Sequence, residues 1–268
     1  MSDSEAATNT EHVVYSVANG VATIALNDPS TRNSLSNDML DGLINAFEKA
    51  RDDDSVQAVV LASTNDKTFS SGGNLAGFAG DVPLVHKHAG TERFPNLFLL
   101  IGELGKPVLC RAQGHVLAGS LGLALACDLI VAGESATFGT PEINVGTFPF
   151  MIMALIYRNV GRKKATEMLL LGERMDAAEA HRIGIVNKVV PAAELDAAVD
   201  EWTEMLGQRS PTALALAKRS FNADSDNIRG ISMLALNSVK LFYDTEESKE
   251  GMRAFQEKRA PEFHKYVK

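Results

Sequence analysis

The chain has 268 residues, 45% hydrophobic and 22% charged, enough to bury a sizeable core in one large domain or one domain with an appendage. A net charge of −8 and a pI near 5.3 argue against a nucleic-acid-binding surface, which needs a basic face, but leave room for an anionic ligand held by a few local Lys and Arg residues. No apolar run approaches membrane-spanning length and no signal peptide is visible, so a cytoplasmic protein without membrane contact is expected.

Residues 1–11 are small and polar and read as a disordered tail. Val13 to Val17 and Val21 to Leu26 flank Ala18-Asn19-Gly20, and an Asn-Gly pair between two apolar runs predicts a hairpin. Ser36 is a suitable N-cap for a helix whose apolar face is Met39, Leu40, Leu43, Ile44 and Phe47. Val56 to Ala62, Pro107 to Ala112 and Leu129 to Ala132 read as buried strands. Strands alternating with loops and helices point to βα or ββα units rather than a sandwich. Cys110 and Cys127 both sit in apolar runs and read as two reduced core thiols.

The second half reads as almost wholly helical. Met151 to Tyr157, Lys164 to Leu171 and Ala177 to Ile183 carry helical periodicity, and Val186 to Val190 reads as a last strand. Four more helices are predicted: Pro191 to Leu206, Pro211 to Phe221, Ile231 to Phe242 and Glu246 to Arg259. Pro191 and Pro211 would stand in first turns and Ser210 at an N-cap.

Two glycine-containing loops carry the chemistry, Phe69-Ser70-Ser71-Gly72-Gly73-Asn74-Leu75 and Gln113 to Gly122, with a lone carboxylate following in Phe138-Gly139-Thr140-Pro141-Glu142. Each loop follows a strand-like run and feeds a helix-like one, an arrangement that can aim unpaired backbone N–H groups at one oxygen. A nearby carboxylate could then move a proton on the adjacent carbon. Ala118-Gly119-Ser120-Leu121-Gly122 also loosely matches a hydrolase A-x-S-x-G elbow. The nearest expected strand ends near Ala112 or Gln113, too early for an elbow, and only His181 and His264 follow as triad candidates. The other reading makes Gly119 the important residue, its N–H exposed at the start of a helix from about Ser120 to Cys127. No Cys/His/carboxylate group has metal-ligand spacing.

Taken in order, these segments resemble the crotonase superfamily, the enoyl-CoA hydratase/isomerase group, over nearly the whole chain from His12. Leu26-Asn27-Asp28-Pro29 through Asn33-Ser34-Leu35 is similar to the family's L-N-x-P…N-[AS]-[LM] segment, and Phe69 to Leu75 to F-x-[AS]-G-x-D-[IL]. Gly114 to Asp128 is similar to G-x-x-x-G-G-G-x-E…C-D, and Ala136 to Glu142 to A-x-F-G-x-P-E. The stretch from Lys163 to Val190 and Phe255-Gln256-Glu257-Lys258-Arg259-Ala260-Pro261-Glu262-Phe263 complete the series. The resemblance implies an α/β spiral of ββα units over residues 12–205, then a helical trimerisation region over 206–268. It also implies an acyl-CoA substrate carried as a coenzyme A thioester, no prosthetic group, and a homotrimer or dimer of trimers. Apolar Met233, Leu234, Leu236 and Phe242 would line subunit contacts. The thioester oxygen would be held by the N–H groups of Gly73 and Gly119, and Lys258 or Arg259 would reach the CoA phosphates.

Departures from the family pattern sharpen the expectation. Family hydratases use two glutamates; the first position is Gly122 here, the second is Glu142. The family's Asp after the first oxyanion residue is Asn74. The usual P-G-x-G-G stretch is replaced by Phe148-Pro149-Phe150-Met151-Ile152-Met153, so Phe148 and Phe150 would reshape the acyl pocket beside an opening at Gly122. One carboxylate can take a proton from one carbon and return it to another, so the pattern leans to enoyl-CoA double-bond isomerisation with Glu142 as proton shuttle. The alternatives are an enoyl-CoA hydratase with a non-standard second group, for which His86, His88 and Glu92 are candidates, and a non-catalytic acyl-CoA-binding paralogue.

Overall fold

The computed structural model describes residues 12–73, 92–223 and 245–266. The tail, Asn74, His86, His88 and the helix expected over 231–242, with Met233, Leu234, Leu236 and Phe242, lie outside the described residues. Strands β1 (Val13–Ala18) and β2 (Val21–Leu26) form the expected hairpin, with Ala18 opposite Val21. Asn19 (φ 51°) and Gly20 (φ 77°) both take the left-handed conformation that a two-residue turn of this hand requires. Helix α1 (Asn37–Asp52) starts where Ser36 accepts from the Met39 N–H at 3.2 Å, and it buries Met39, Leu40, Leu43 and Phe47. 

Three ββα turns follow. Each places one strand in a large sheet and a shorter one in a small sheet. β3 (Ala58–Ser63), β5 (Val108–Ala112) and β7 (Leu129–Gly133) run parallel in the large sheet. β4 (Thr68–Ser70), β6 (His115–Leu117) and β8 (Thr137–Gly139) run parallel in the small one. Helices α2 (Arg93–Glu103) and α3 (Gly119–Ala126) complete the first two turns, and a 3-10 turn, Pro141–Val145, follows β8. β9 (Arg174–Asp176) closes the small sheet antiparallel to β8, and β10 (Lys188–Val190) ends the large sheet beside β7. The large sheet has the order β1-β2-β3-β5-β7-β10 and the small one β4-β6-β8-β9.

Alternation along the large-sheet strands divides the core. Ile24, Val59, Leu61, Cys110 and Ile130 face the main core with α1, α2 and α3. Ala25, Val60, Ala62, Leu109 and Val131 face a second layer, where α7 (Leu195–Gly207) lays down Leu195, Ala198 and Val199. A strand covered on both faces reads as a continuous apolar run, which is why β3, β5 and β7 stand out in the sequence. Cys110 and Cys127 are both buried and unbridged.

The remaining helices among the described residues are α4 (Met153–Asn159), α5 (Arg162–Leu171), α6 (Ala177–Arg182), α8 (Pro211–Ala223) and α9 (Glu246–Gln256). The expected first turn at Pro191 is corrected: Pro191 is extended (φ −51°, ψ 144°), leads a 3-10 turn, Ala192–Glu194, and α7 begins only at Leu195. Ser210 does cap α8, accepting from the Ala213 N–H at 3.3 Å. The buried Lys218 of α8 is paired with Asp128 at 2.5 Å, and Asp128 also accepts from the Val108 N–H. This pair fastens α8 to the edge of the core.

Candidate active site

The first glycine loop is braced from below by Asn33. This residue is fully buried with φ 54°, accepts from the Asp28 N–H, and donates to Ser63 Oγ (2.8 Å) and the Phe69 carbonyl (3.0 Å). Asn tolerates the left-handed conformation better than other non-glycine residues. The backbone then ties in twice, Ser71 N–H to the Arg32 carbonyl and Leu35 N–H to the Gly72 carbonyl. Gly72 has φ +90°, and a Cβ there would lie 2.6 Å from the Ala118 Cβ and 3.4 Å from the Gly119 nitrogen. Only glycine permits both that conformation and that approach. Gly73 bridges Leu35, and among the described residues no atom lies within 4 Å of where its Cβ would stand.

The second loop turns on Ala118, a non-glycine residue at φ 55°, ψ −130°. Such strain persists where surrounding structure fixes it, and here the Ala118 N–H donates to the Gly139 carbonyl at 2.9 Å. Helix α3 begins at the next residue, so the Gly119 N–H belongs to the first turn and has no intrahelical acceptor. Phe94 and Leu35 wall Gly119, at 3.1 and 3.3 Å from a Cβ placed there. Ser120 is fully buried, its Oγ shared between the carbonyls of Leu117 (2.7 Å) and Ser70 (3.1 Å), which clips the two loops together.

The strand β6 reaches Leu117, so the strand–turn–helix setting of an elbow is present after all. The turn residue, however, is Ala118, and Ser120 is an inward structural bond. His181 Nδ1 is bonded to the Val186 carbonyl, and the side chain of His264 lies outside the described part. The hydrolase arrangement is therefore replaced by a loop clamp.

Glu142 lies in the 3-10 turn after β8. The turn is held by Thr140 Oγ1 donating to the Met168 carbonyl (2.8 Å) and Asn144 Nδ2 donating to the Gly172 carbonyl (3.1 Å). The Thr147 N–H donates to the Glu142 carbonyl at 3.1 Å. Part of the residue reaches the surface, but its Oε2 is sealed and has no hydrogen-bond partner. Burial pushes the carboxyl up to about 7, opposed only by the residue's own backbone N–H. Gly73, Gly119 and Glu142 thus follow the carboxyl ends of β4, β6 and β8, three strands side by side. In parallel sheets the ends of the strands are where ligands bind.

Two expectations are corrected. The opening beside Gly122 is absent: a Cβ there would lie 2.2 Å from Ile152 Cγ2 and 3.0 Å from Phe98 Cζ, so apolar side chains fill the place of a first glutamate. Arg259 is not a free cation, since it forms a fork to Glu250 (2.6 and 3.1 Å) and a bond to Glu257 (2.6 Å). Lys258 is exposed beside it, at φ 54°. Phe148 and Phe150 are half-buried and meet edge to face, with centroids 5.2 Å apart. Glu92 precedes α2. Among the described residues no group of three His, Cys, Asp or Glu side chains could hold a metal, and no helix is long and apolar enough to cross a membrane. The bracing by Asn33 and the approach of Gly72 to Ala118 were not assigned from sequence; the Asn33-Ser34-Leu35 segment was their only signal.

Paired sheets fed by successive ββα turns define the crotonase-like class of α/β proteins. The chain belongs to the enoyl-CoA hydratase/isomerase family, whose profile matches residues 16–266, and is an acyl-CoA enzyme of that family. An enoyl-CoA hydratase from Mycobacterium avium subsp. paratuberculosis K-10 superposes with a TM-score of 0.85 at 28% identity, over 95% of this chain and 99% of that one. An enoyl-CoA hydratase from Mycobacterium avium is 32% identical with a TM-score of 0.82, over 95% of this chain and 100% of that one. A methylmalonyl-CoA decarboxylase in complex with 2-nitronate-propionyl-CoA shares the fold at a TM-score of 0.82 and 24% identity, over 95% and 99% of the two chains.

Proposed function

We propose that this enzyme polarises an acyl-CoA thioester with the Gly73 and Gly119 N–H groups and shuttles a proton with Glu142, isomerising an enoyl-CoA double bond. The observation that carries the reading is a Glu142 carboxyl whose Oε2 is sealed and without a hydrogen-bond partner, together with an apolar plug at Gly122. A group poised near neutrality can both accept a proton and return it. The enolate-like oxygen gains charge in the transition state, where preorganised donors are worth about 3 kcal/mol each. Glu142 would remove a proton from one carbon of the enoyl unit and deliver it two carbons away, with no net change of atoms. Exposed Lys258 is the better candidate for the CoA phosphates, because the Arg259 fork is already occupied.

The test is a product screen of 2-enoyl-, 3-enoyl- and 3-hydroxyacyl-CoA substrates in deuterated water. Isomerisation gives interconversion of 2- and 3-enoyl forms with deuterium in the product. A second reading, hydration by Glu142 acting with an unassigned group, is favoured by the names of the similar mycobacterial proteins; rapid formation of 3-hydroxyacyl-CoA would establish it instead. Binding without any turnover would mark a non-catalytic paralogue. The same reading includes a spiral core over 12–205 and assembly into a trimer or dimer of trimers through residues 206–268. Leu216 and Phe255 in that region are more than half exposed, at 58% and 56%, which suits a subunit contact. A monomer by light scattering at micromolar concentration would refute the assembly.

A further inference from the structure

The turn that carries Glu142 is held on its other side by the C-terminal segment, through contacts too close for ordinary side chains. Gly251 of α9 lies against Val145: a Cβ on it would be 2.2 Å from the Val145 carbonyl oxygen and 3.2 Å from the Gly146 Cα. Gly146 ends the 3-10 turn at φ +71°, with its N–H donating to the Ile143 carbonyl. A Cβ on Gly146 would be 2.3 Å from Phe263 Cζ, so that ring occupies the place of the missing side chain. Two backbones and one aromatic ring thus interlock directly after Glu142.

The lock is itself fixed. Thr245 caps α9 by accepting from the Ser248 N–H at 3.2 Å. Glu250, almost fully buried, receives the Arg259 fork and accepts from the Glu262 N–H at 3.1 Å, next to Phe263. A fork satisfied by a buried carboxylate is a rigid joint, and it sets where Phe263 falls.

We propose that Gly251 and Phe263 are positioning residues that hold the Glu142 turn in register for proton transfer. The inference rests on the reading of Glu142 as proton shuttle. It assigns to the last part of the chain a second task, aiming the carboxylate, besides any subunit contact. In Gly251→Ala either the helix or the turn must move, because a backbone carbonyl cannot swing aside as a side-chain tip can. Phe263→Ala empties the seat behind Gly146, and Phe263→Leu refills most of it.

The experiment measures kcat and KM on the best enoyl-CoA substrate of the screen for Gly251→Ala, Phe263→Ala, Phe263→Leu and Glu142→Gln. A displacement of about 1 Å at a reacting group lowers rate by up to about 100-fold. We expect kcat to fall about 10- to 100-fold in Gly251→Ala and Phe263→Ala with KM within about twofold, and Phe263→Leu to recover most of the loss. Should Gly251→Ala not fold, the two Phe263 variants carry the comparison alone. Loss of thermal stability with kcat unchanged, or a rise in KM alone, would overturn the positioning role. Loss of turnover in Glu142→Gln with wild-type kcat in both positioning variants would refute this inference and leave the shuttle standing. Unchanged turnover in Glu142→Gln would refute the shuttle and the inference with it.

Discussion

Replacing Glu142 by Gln should abolish proton transfer and, at alkaline pH, make the protein more stable. In the unfolded chain the carboxyl titrates near its ordinary 4.5, whereas burial raises it to about 7 in the folded protein. Between those values the folded state keeps a proton that the unfolded chain has released. The proton-linked stabilisation is therefore full below about pH 4.5 and lost as pH rises through about 7. Above that, folding buries a charge whose Oε2 has no hydrogen-bond partner. At about 1.4 kcal/mol per pH unit the gap gives a ceiling of about 3.5 kcal/mol, and the residue's partial exposure brings the expected effect to about 2 kcal/mol. Gln carries no charge at any pH, so the two proteins differ little at roughly pH 5 and by about 2 kcal/mol in favour of Gln at roughly pH 8.5. Urea unfolding of both proteins at the two pH values reads this directly, with every other titrating group cancelling in the difference. An equal stability difference at both pH values would refute the burial of the carboxylate as the source of its raised pKa.

As the proposed proton shuttle, the same carboxyl should set the pH dependence of catalysis: kcat/KM should rise with pH through about 7 as Glu142 ionises to a base, and a profile flat from roughly pH 5.5 to 8 would contradict it. Gly122→Glu should not create a hydratase, because Ile152 and Phe98 fill the site; unfolding titrations should show a loss of about 3 kcal/mol, and a folded variant with raised hydration rate would count against the plug. Ser120→Ala should cost about 1–2 kcal/mol through the lost clip between the loops, and a serine-directed phosphonate should leave the unmodified protein unlabelled in mass spectrometry.

What could be read from the sequence follows the length scale of the signal. The Asn19-Gly20 hairpin, the Ser36 cap and the doubly buried runs of β3, β5 and β7 are local patterns and stood out. The small sheet did not, because Thr68–Ser70, His115–Leu117, Thr137–Gly139 and Arg174–Asp176 are three residues each, too short for alternation to show. Helix α2 is not legible because no cap side chain announces its start. Gly73, Gly119 and Glu142 drew attention through their order along the chain and the family resemblance. The state of Glu142 is not legible, since the burial that raises its carboxyl exists only in the folded chain and leaves no local pattern. The filling of the place beside Gly122 is illegible for the same reason: Ile152, thirty residues on, occupies the space that the missing side chain leaves. Arg259 enters as a phosphate candidate only through the family resemblance, and nothing in its sequence neighbourhood marks Glu250 as its buried partner.

The two core thiols give this protein an intrinsic gauge of its own breathing. Cys110 lies in the middle of the large sheet and is fully inaccessible, and Cys127 sits just beyond α3 with its thiol pushed well up by burial, so it stays protonated. Thiolate, not thiol, attacks disulfide reagents. Colour release from an aromatic disulfide therefore waits on opening of the interior, and its rate in native buffer counts those openings without any attached label. Slower release in the presence of an acyl-CoA would measure, in the same cuvette, how far binding quiets the large sheet.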